Sequence, residues 1–255
     1  MTAIIDVESF IYKACTNCEE IVETSNGIYQ LQWNINKSDD YFNTLLTDVM
    51  GVTDQNTYVF VFGDWKNYRK IINPDYKANR KEQPKHPMLN VIKERLQDKY
   101  CVAFMEWVEA DDVCRIMYEQ DPFNNVIISI DKDLKTFPCY LYNPMTPDKG
   151  VQKITRKQGD ENFFKQIVMG DKTDGYSGLS GYGEVKAGRL VGNLDKLNID
   201  ELRESFIDAG GDIGSFIKNY NMAHILSKKD YIDGKGLKLY NTYFDFEKEK
   251  QVERL

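Results

Sequence analysis

Carboxylates in this chain recur where apolar runs stop. Ala3-Ile4-Ile5 ends at Asp6, the run from Tyr58 to Gly63 ends at Asp64, and the run from Val126 to Ile130 ends at Asp131-Lys132-Asp133. Val102 to Val108 leads into Glu109-Ala110-Asp111-Asp112, and a fifth acidic pair stands in Gly170-Asp171-Lys172-Thr173-Asp174. Ligands of an open α/β sheet bind beyond the carboxyl ends of its strands, so acids placed there converge on one crevice however distant in sequence. Nine such acids repel one another, raising their pKa values, unless cations sit among them. Oxygen donors without His or Cys partners suit Mg²⁺, with Mn²⁺ as a substitute. Pairs of these ions roughly 3.5–4 Å apart serve in-line phosphoryl displacement, chemistry that needs neither a covalent nucleophile nor a histidine base. Helix capping accounts for one or two of Glu109, Asp111 and Asp112, since acids are favoured in a first helical turn. It does not account for the recurrence across elements.

The positioning elements follow from periodicity. Strands are expected at residues 1–6, 27–33, 57–62, 101–107 and 125–130, with the second of these one arm of a hairpin. Helices are expected at 8–21, at 39–50 capped by Ser38, at 88–99 and at 109–120. Alternating βα units predict an α/β fold, a largely parallel central sheet with helices on both faces. Past residue 150 the pattern turns helical, at 159–169, 183–192, 199–209 and 212–226. The resulting division is a core over 1–155, a helical region over 156–228 and an extended surface tail over 229–255. Glu109 and Asp112, like Asp171 and Asp174, are three apart, which at a helix start puts each pair on one face.

With 255 residues the chain can bury a sizeable core. Five cysteines, an odd number, suit reduced thiols, and Cys15-Thr16-Asn17-Cys18 lacks the second pair that a zinc site requires. No leading segment resembles a signal peptide and no stretch approaches the ~20 apolar residues of a membrane span. A cytoplasmic protein with no membrane partner is expected. The net charge of −7 argues against nucleic acid until it is mapped: setting aside nine acids leaves +2. Between residues 66 and 99 stand ten Lys or Arg against four acids.

Within that basic stretch, residues 64–88 are too long for an ordinary connection and are broken by Pro74, Pro84 and Pro87. Trp65-Lys66-Asn67-Tyr68-Arg69-Lys70, continuing to Tyr76-Lys77-Ala78-Asn79-Arg80-Lys81, interleaves rings with cations. Such a pattern fits a single nucleic-acid strand, with bases stacked on rings and phosphates on Lys or Arg; a solvated basic loop is the plain alternative. Glycines at 175, 178, 181 and 183, followed by a helix opening near Glu184 with Lys186, allow close backbone approach and offer N–H groups to a phosphate. This resembles a helix–hairpin–helix grip on duplex backbone.

Taken together, the blocks from residue 4 to about 190 resemble the metal-dependent 5′-nucleases: flap endonucleases, the 5′-exonuclease domains of bacterial polymerases and, most closely, short phage 5′→3′ exonucleases. Ile4-Ile5-Asp6 with Tyr12-Lys13-Ala14 is similar to the opening motif, with Lys13 where the family has Arg. Asp64 matches the second acid, and Tyr76, Lys77 and Arg80 the arch motif. Glu109–Asp112, Asp131 with Asp133, and Gly170–Gly183 match the remaining blocks. Gly175, Ser177 and Ser180 depart from the Asn and prolines usual in the hairpin.

The resemblance implies DNA cleavage near 5′ ends with two Mg²⁺ ions: Asp6, Asp64, Glu109, Asp111, Asp112 and Asp131 around the first, and Asp133, Asp171 and Asp174, helped by Asp131, around the second. It further implies Lys77 and Arg80 on the scissile phosphate, Tyr76 stacking the end nucleotide, and Gly178, Gly181, Gly183 and Lys186 on duplex DNA. Lys13, Lys66, Arg69, Lys70 and Lys81 are expected to meet DNA as well. Some relatives bind a monovalent cation at the hairpin. A monomer is expected, in host cytoplasm if a phage encodes it. Open alternatives are action on RNA or RNA–DNA hybrid, a non-catalytic module for branched DNA, and a phosphatase of small esters, the last of which leaves the arch and hairpin without a role.

Overall fold

A computed structural model of the chain describes residues 2–25, 27–82 and 84–252, the side chains of Lys81 and Glu82 excepted. In chain order the elements are β1 (Thr2–Asp6), α1 (Glu8–Asn17), β2 (Glu19–Ser25), β3 (Ile28–Trp33), α2 (Asn36–Thr53), β4 (Thr57–Phe62), α3 (Tyr68–Ile72), α4 (Leu89–Lys99), β5 (Val102–Phe104), α5 (Ala110–Tyr118) and β6 (Asn125–Ile128). There follow β7 (Cys139–Tyr142), β8 (Gln152–Ile154), α6 (Arg156–Met169), β9 (Gly170–Asp171), β10 (Tyr176–Ser177), α7 (Glu184–Gly192), α8 (Ile199–Asp208), α9 (Ile213–Ala223) and the four short strands β11 (Tyr231–Ile232), β12 (Gly236–Leu239), β13 (Thr242–Asp245) and β14 (Lys250–Val252).

The central sheet has the order β5-β4-β1-β6-β7-β8, parallel except for β8. Period-2 alternation sends its side chains to two cores. Ala3, Ile5, Phe60, Phe62, Val126 and Ile128 pack with α1, α2 and α4. Ile4, Val59, Val61 and Ile127 pack with α5 and, on the same side, with Leu237, Leu239, Phe244 and Phe246. A third cluster joins α6 to α9 around Phe164, Ile167, Leu202 and Phe216. Because β1 lies between β4 and β6, the chain leaves it in both directions, and the carboxyl ends of these three strands carry Asp6, Asp64 and Asp131 to one edge.

Several expectations are corrected. Residues 229–252 of the expected tail are not extended: β11 to β14 form an antiparallel sheet whose buried Leu237, Leu239, Phe244 and Phe246 complete a core. The helix expected to reach residue 21 ends at Asn17, and β2 and β3 form a separate two-stranded ribbon. Its turn contains Gly27 at φ 80°. Ser38 does not cap α2, which begins at Asn36; its hydroxyl donates to Ile35 O at 2.7 Å inside the first turn. Asp171 and Asp174 sit not at a helix start but on a tight β9–β10 hairpin. The central sheet holds four of the five expected strands, and β7 and β8 extend it. Among the described residues no helix is long and apolar enough to cross a membrane.

Candidate active site

The acidic turn of α5 is the centre of the site. Asp112, fully buried, accepts from Glu109 N at 3.0 Å, which fixes the turn. Arg69, 1% exposed, grips both Asp112 oxygens at 2.6 and 2.8 Å and reaches Glu109 Oε2 at 3.2 Å. The same guanidinium donates to Met222 O and His224 O, and Leu226 N donates to Asp112 Oδ1. Arg69 is therefore a core cation and not the DNA-facing residue expected, because a buried guanidinium with its donors satisfied has none left for phosphate. Asp112 correspondingly leaves the set of candidate metal ligands.

Asp64 stays in that set while also holding backbone, because a carboxylate has about four lone-pair sites and two amides leave others for a cation. Its carboxylate accepts from Lys66 N at 3.0 Å and Trp107 N at 2.9 Å, so it shapes the loop after β4. Eight acids remain: Asp6, Asp64, Glu109, Asp111, Asp131, Asp133, Asp171 and Asp174. Among the described residues no three His, Cys, Asp or Glu are already closed around a metal position.

The arch is stitched to the β9–β10 hairpin. Lys77 N donates to Asp174 O at 3.1 Å, Asn79 Nδ2 to Thr173 O at 3.2 Å and Asn73 Nδ2 to Gly175 O at 3.3 Å. A side chain at Gly175, φ 80°, would meet Asp75 O at 2.1 Å, so this position admits only glycine without displacing backbone. These contacts place Lys77, itself left-handed at φ 52°, with its ammonium 2.7 Å from Glu109 Oε1 and 3.7 Å from Asp174 Oδ2. Arg80 pairs with Asp174 at 2.9 Å. Tyr76, expected to stack on a nucleotide, is instead 4% exposed and donates to Glu109 Oε2 at 2.6 Å.

The electrostatics divide by distance from these cations. Burial raises the Glu109 carboxyl, but Lys77 and Arg69 outweigh it and hold its pKa at about 2. Asp6, buried and only partly relieved by the Ser9 and Ser129 hydroxyls, is pushed up to about 6, with repulsion from Asp131 adding. Burial and Asp131 likewise lift Asp133 to about 6. Asp111 is raised well above its ordinary value by burial and by Glu109 and Asp112. Asp174 is raised by burial, against the pull of Lys77 and Arg80. Half of the site thus has resident cations while the other half lacks counter-charge, and a hard divalent cation suits that deficit.

The family model of the 5′–3′ exonuclease, N-terminal resolvase-like domain, matches residues 1–167. This chain belongs to that family. The exodeoxyribonuclease of Enterobacteria phage T3 is 31% identical over 175 residues, 63% of this chain and 55% of the relative, so the chain spans about half that protein's length. The exonuclease of Escherichia phage T7 is 30% identical over 212 residues, 77% of this chain and 67% of the relative. In space the chain is similar to the T5 D15 protein co-crystallised with metal ions, with a TM-score of 0.61 at 14% identity over 88% of this chain and 89% of that one. The same T5 protein is also solved as a flap endonuclease with DNA and metal ions. The fold is that of the 5′-nucleases.

In this 5′–3′ exonuclease family member the remaining candidates differ in exposure and contacts. Gly181, Gly183 and Lys186 are exposed at the start of α7. A side chain at Gly178 would meet Met169 C at 2.1 Å, so glycine there lets the hairpin close on α6. The Lys186 ammonium lies 3.8 Å from the space a Gly181 side chain would take, in the region where a monovalent cation was expected. Lys13 is exposed beside Met145, and Lys70 donates to Trp65 O at 2.7 Å. Lys66 sits 5.6 Å from the Trp107 ring centroid and 3.6 Å from Glu249. The Lys81 side chain lies outside the described residues.

Proposed function

We propose that the chain is a Mg²⁺-dependent, structure-specific 5′-nuclease that hydrolyses DNA phosphodiester bonds near 5′ ends. The observation that carries this reading is a cleft of eight carboxylates bordered by Lys77 and Arg80, in a chain of the 5′–3′ exonuclease family. The DNA and metal ions named with the T5 relative support it.

The donor set fits Mg²⁺: it is all carboxylate, and burial first, with crowding by neighbouring acids second, raises four of its members, which a divalent charge would oppose. Glu109, Asp111, Asp6, Asp64 and Asp131 would hold one ion, and Asp133, Asp171 and Asp174 a second. When bound, such ions activate water and stabilise the departing oxygen. Tyr76 and Arg69 orient Glu109. Lys77 and Arg80, paired with Glu109 and Asp174 in the free protein, are placed to neutralise the phosphate being cut. With only two histidines in the chain, no imidazole base is required for this scheme.

The direct test sizes the products of one 5′-labelled flap and one blunt duplex, in Mg²⁺ and in chelator. Mononucleotides signify exonuclease action, and a released oligomer signifies flap cutting. Absence of Mg²⁺-dependent products from both substrates overturns the proposal, and matched RNA–DNA hybrids measure the preference for deoxyribose.

Metal binding should also be linked to protons. Asp6 and Asp133 hold protons more tightly folded than unfolded, so in metal-free protein stability falls as pH rises from about 4 to about 6. For Asp6 the cost is about 3 kcal/mol once it is ionised. Calorimetry at pH 5.5 in buffers of different ionisation enthalpy should show protons released as Mg²⁺ binds, fading above about pH 7. Lys77→Met should tighten metal binding by removing the ammonium that competes for Glu109. Metal binding without proton release at pH 5.5 would remove Asp6 and Asp133 from the site.

A further inference from the structure

The nuclease reading leaves open how a strand end is held, and the structure narrows the choice among the arch rings. Tyr68 is fully buried, its hydroxyl donating to Asn221 O at 3.1 Å. Tyr76 is buried beneath Glu109. Neither ring can take a base on its face. Trp65, in contrast, is 77% exposed. Tryptophan is a poor residue to leave in water, because its large apolar area is favourable only when covered.

Trp65 is exposed but not loosely held. Asp64 ties the loop down through Lys66 N and Trp107 N, and the Lys70 ammonium donates to Trp65 O at 2.7 Å. The indole stands at a cavity of about 770 Å³, lined also by Lys66, Lys70, Arg80, Lys85 and Glu109. Pockets for small organic ligands run about 300–1,000 Å³, so the space suits one or two nucleotides of a single strand. Its cations suit phosphates, and the Lys66 ammonium is 5.7 Å from the Trp65 ring centroid. A ring on a rigid turn beside cations and an acid of the site is the arrangement in which a nucleobase stacks while its phosphates are neutralised.

We propose that Trp65 is the stacking platform for a nucleotide at or near the 5′ end of the strand being cut, and that it positions that strand without taking part in chemistry. The proposal rests on the nuclease reading and assigns the role expected of Tyr76 to a different ring. It also gives Asp64 a function consistent with its contacts, since that carboxylate holds the turn that presents the indole.

The test compares wild type, Trp65→Phe and Trp65→Ala on 5′-flap duplexes carrying a single abasic nucleotide at successive positions on the 5′ side of the junction. Steady-state cleavage is read in Mg²⁺ and indole fluorescence on binding in chelator, with denaturation midpoints confirming an intact fold. Trp65→Ala should raise KM on the order of 10-fold with kcat held within about twofold, and Trp65→Phe should recover much of the loss. One abasic position should reproduce the penalty in wild type and add nothing in Trp65→Ala, and fluorescence quenching by the flap should disappear in Trp65→Phe. If wild type cuts and binds but Trp65→Ala matches it on every substrate, or abasic penalties are equal in both, the Trp65 assignment fails. If wild type neither binds nor cuts any flap, the nuclease reading fails first.

Discussion

Asp131→Asn is expected to lower the rate of DNA cleavage by about 10³-fold or more, the scale of several kcal/mol that metal catalysis contributes, while DNA binding is retained or strengthened. Asp131 is exposed at the end of β6, and its Oδ1 accepts from Asp133 N at 2.8 Å. Asparagine keeps that acceptor, so the turn survives and only the charge is lost. That charge acts in two directions, raising both Asp6 and Asp133, which identifies Asp131 as the electrostatic link between the two halves of the acidic cleft. Removing it relieves repulsion toward a phosphate backbone, which is why affinity should not fall. Single-turnover cleavage in Mg²⁺ and filter binding in chelator separate the two effects. Cleavage near the wild-type rate would show that Asp131 holds no metal needed for the reaction.

The largest effect on stability is expected from Arg69→Ala, a loss of about 3–5 kcal/mol, because it strands Asp112 in the core without a counter-charge. Four other contacts go with it: Glu109 Oε2, Met222 O, His224 O and the ring of Tyr68, 4.8 Å from the guanidinium carbon. Replacing both members, as in Arg69→Met with Asp112→Leu, should cost less than the sum of the single changes, since no charge is then left unpaired. Urea unfolding of the four proteins measures this. A single-variant loss below about 1 kcal/mol would mean that water reaches Asp112.

The convergence of acids was legible in the sequence because it depends on strand ends, and strand ends follow from apolar periodicity. Asp6, Asp131 and Asp133 could be placed on that basis alone. The division of labour among the acids was not legible. Asp112 looks like its neighbours in sequence, yet a buried guanidinium 43 residues away and the amide of Leu226, 114 residues away, claim it. Arg69 was misjudged for the same reason: in a run of surface cations, nothing local marks the one that turns inward. Tyr76 was read as a free ring because its partner Glu109 lies 33 positions on. The carboxyl-terminal sheet had a usable signal, the alternation of Leu237 with Leu239 and of Phe244 with Phe246, which charged neighbours hid from a reading by composition.

The Arg69–Asp112 junction bears on where this chain can be divided. The family match ends at residue 167, yet the carbonyls of Met222 and His224 and the amide of Leu226 complete the coordination of that buried pair. Phe244 leans on Tyr68 and Trp107 from still further along. A fragment cut at the homology boundary would carry most of the acids but leave the buried pair beneath them without the carbonyls and amide that complete it.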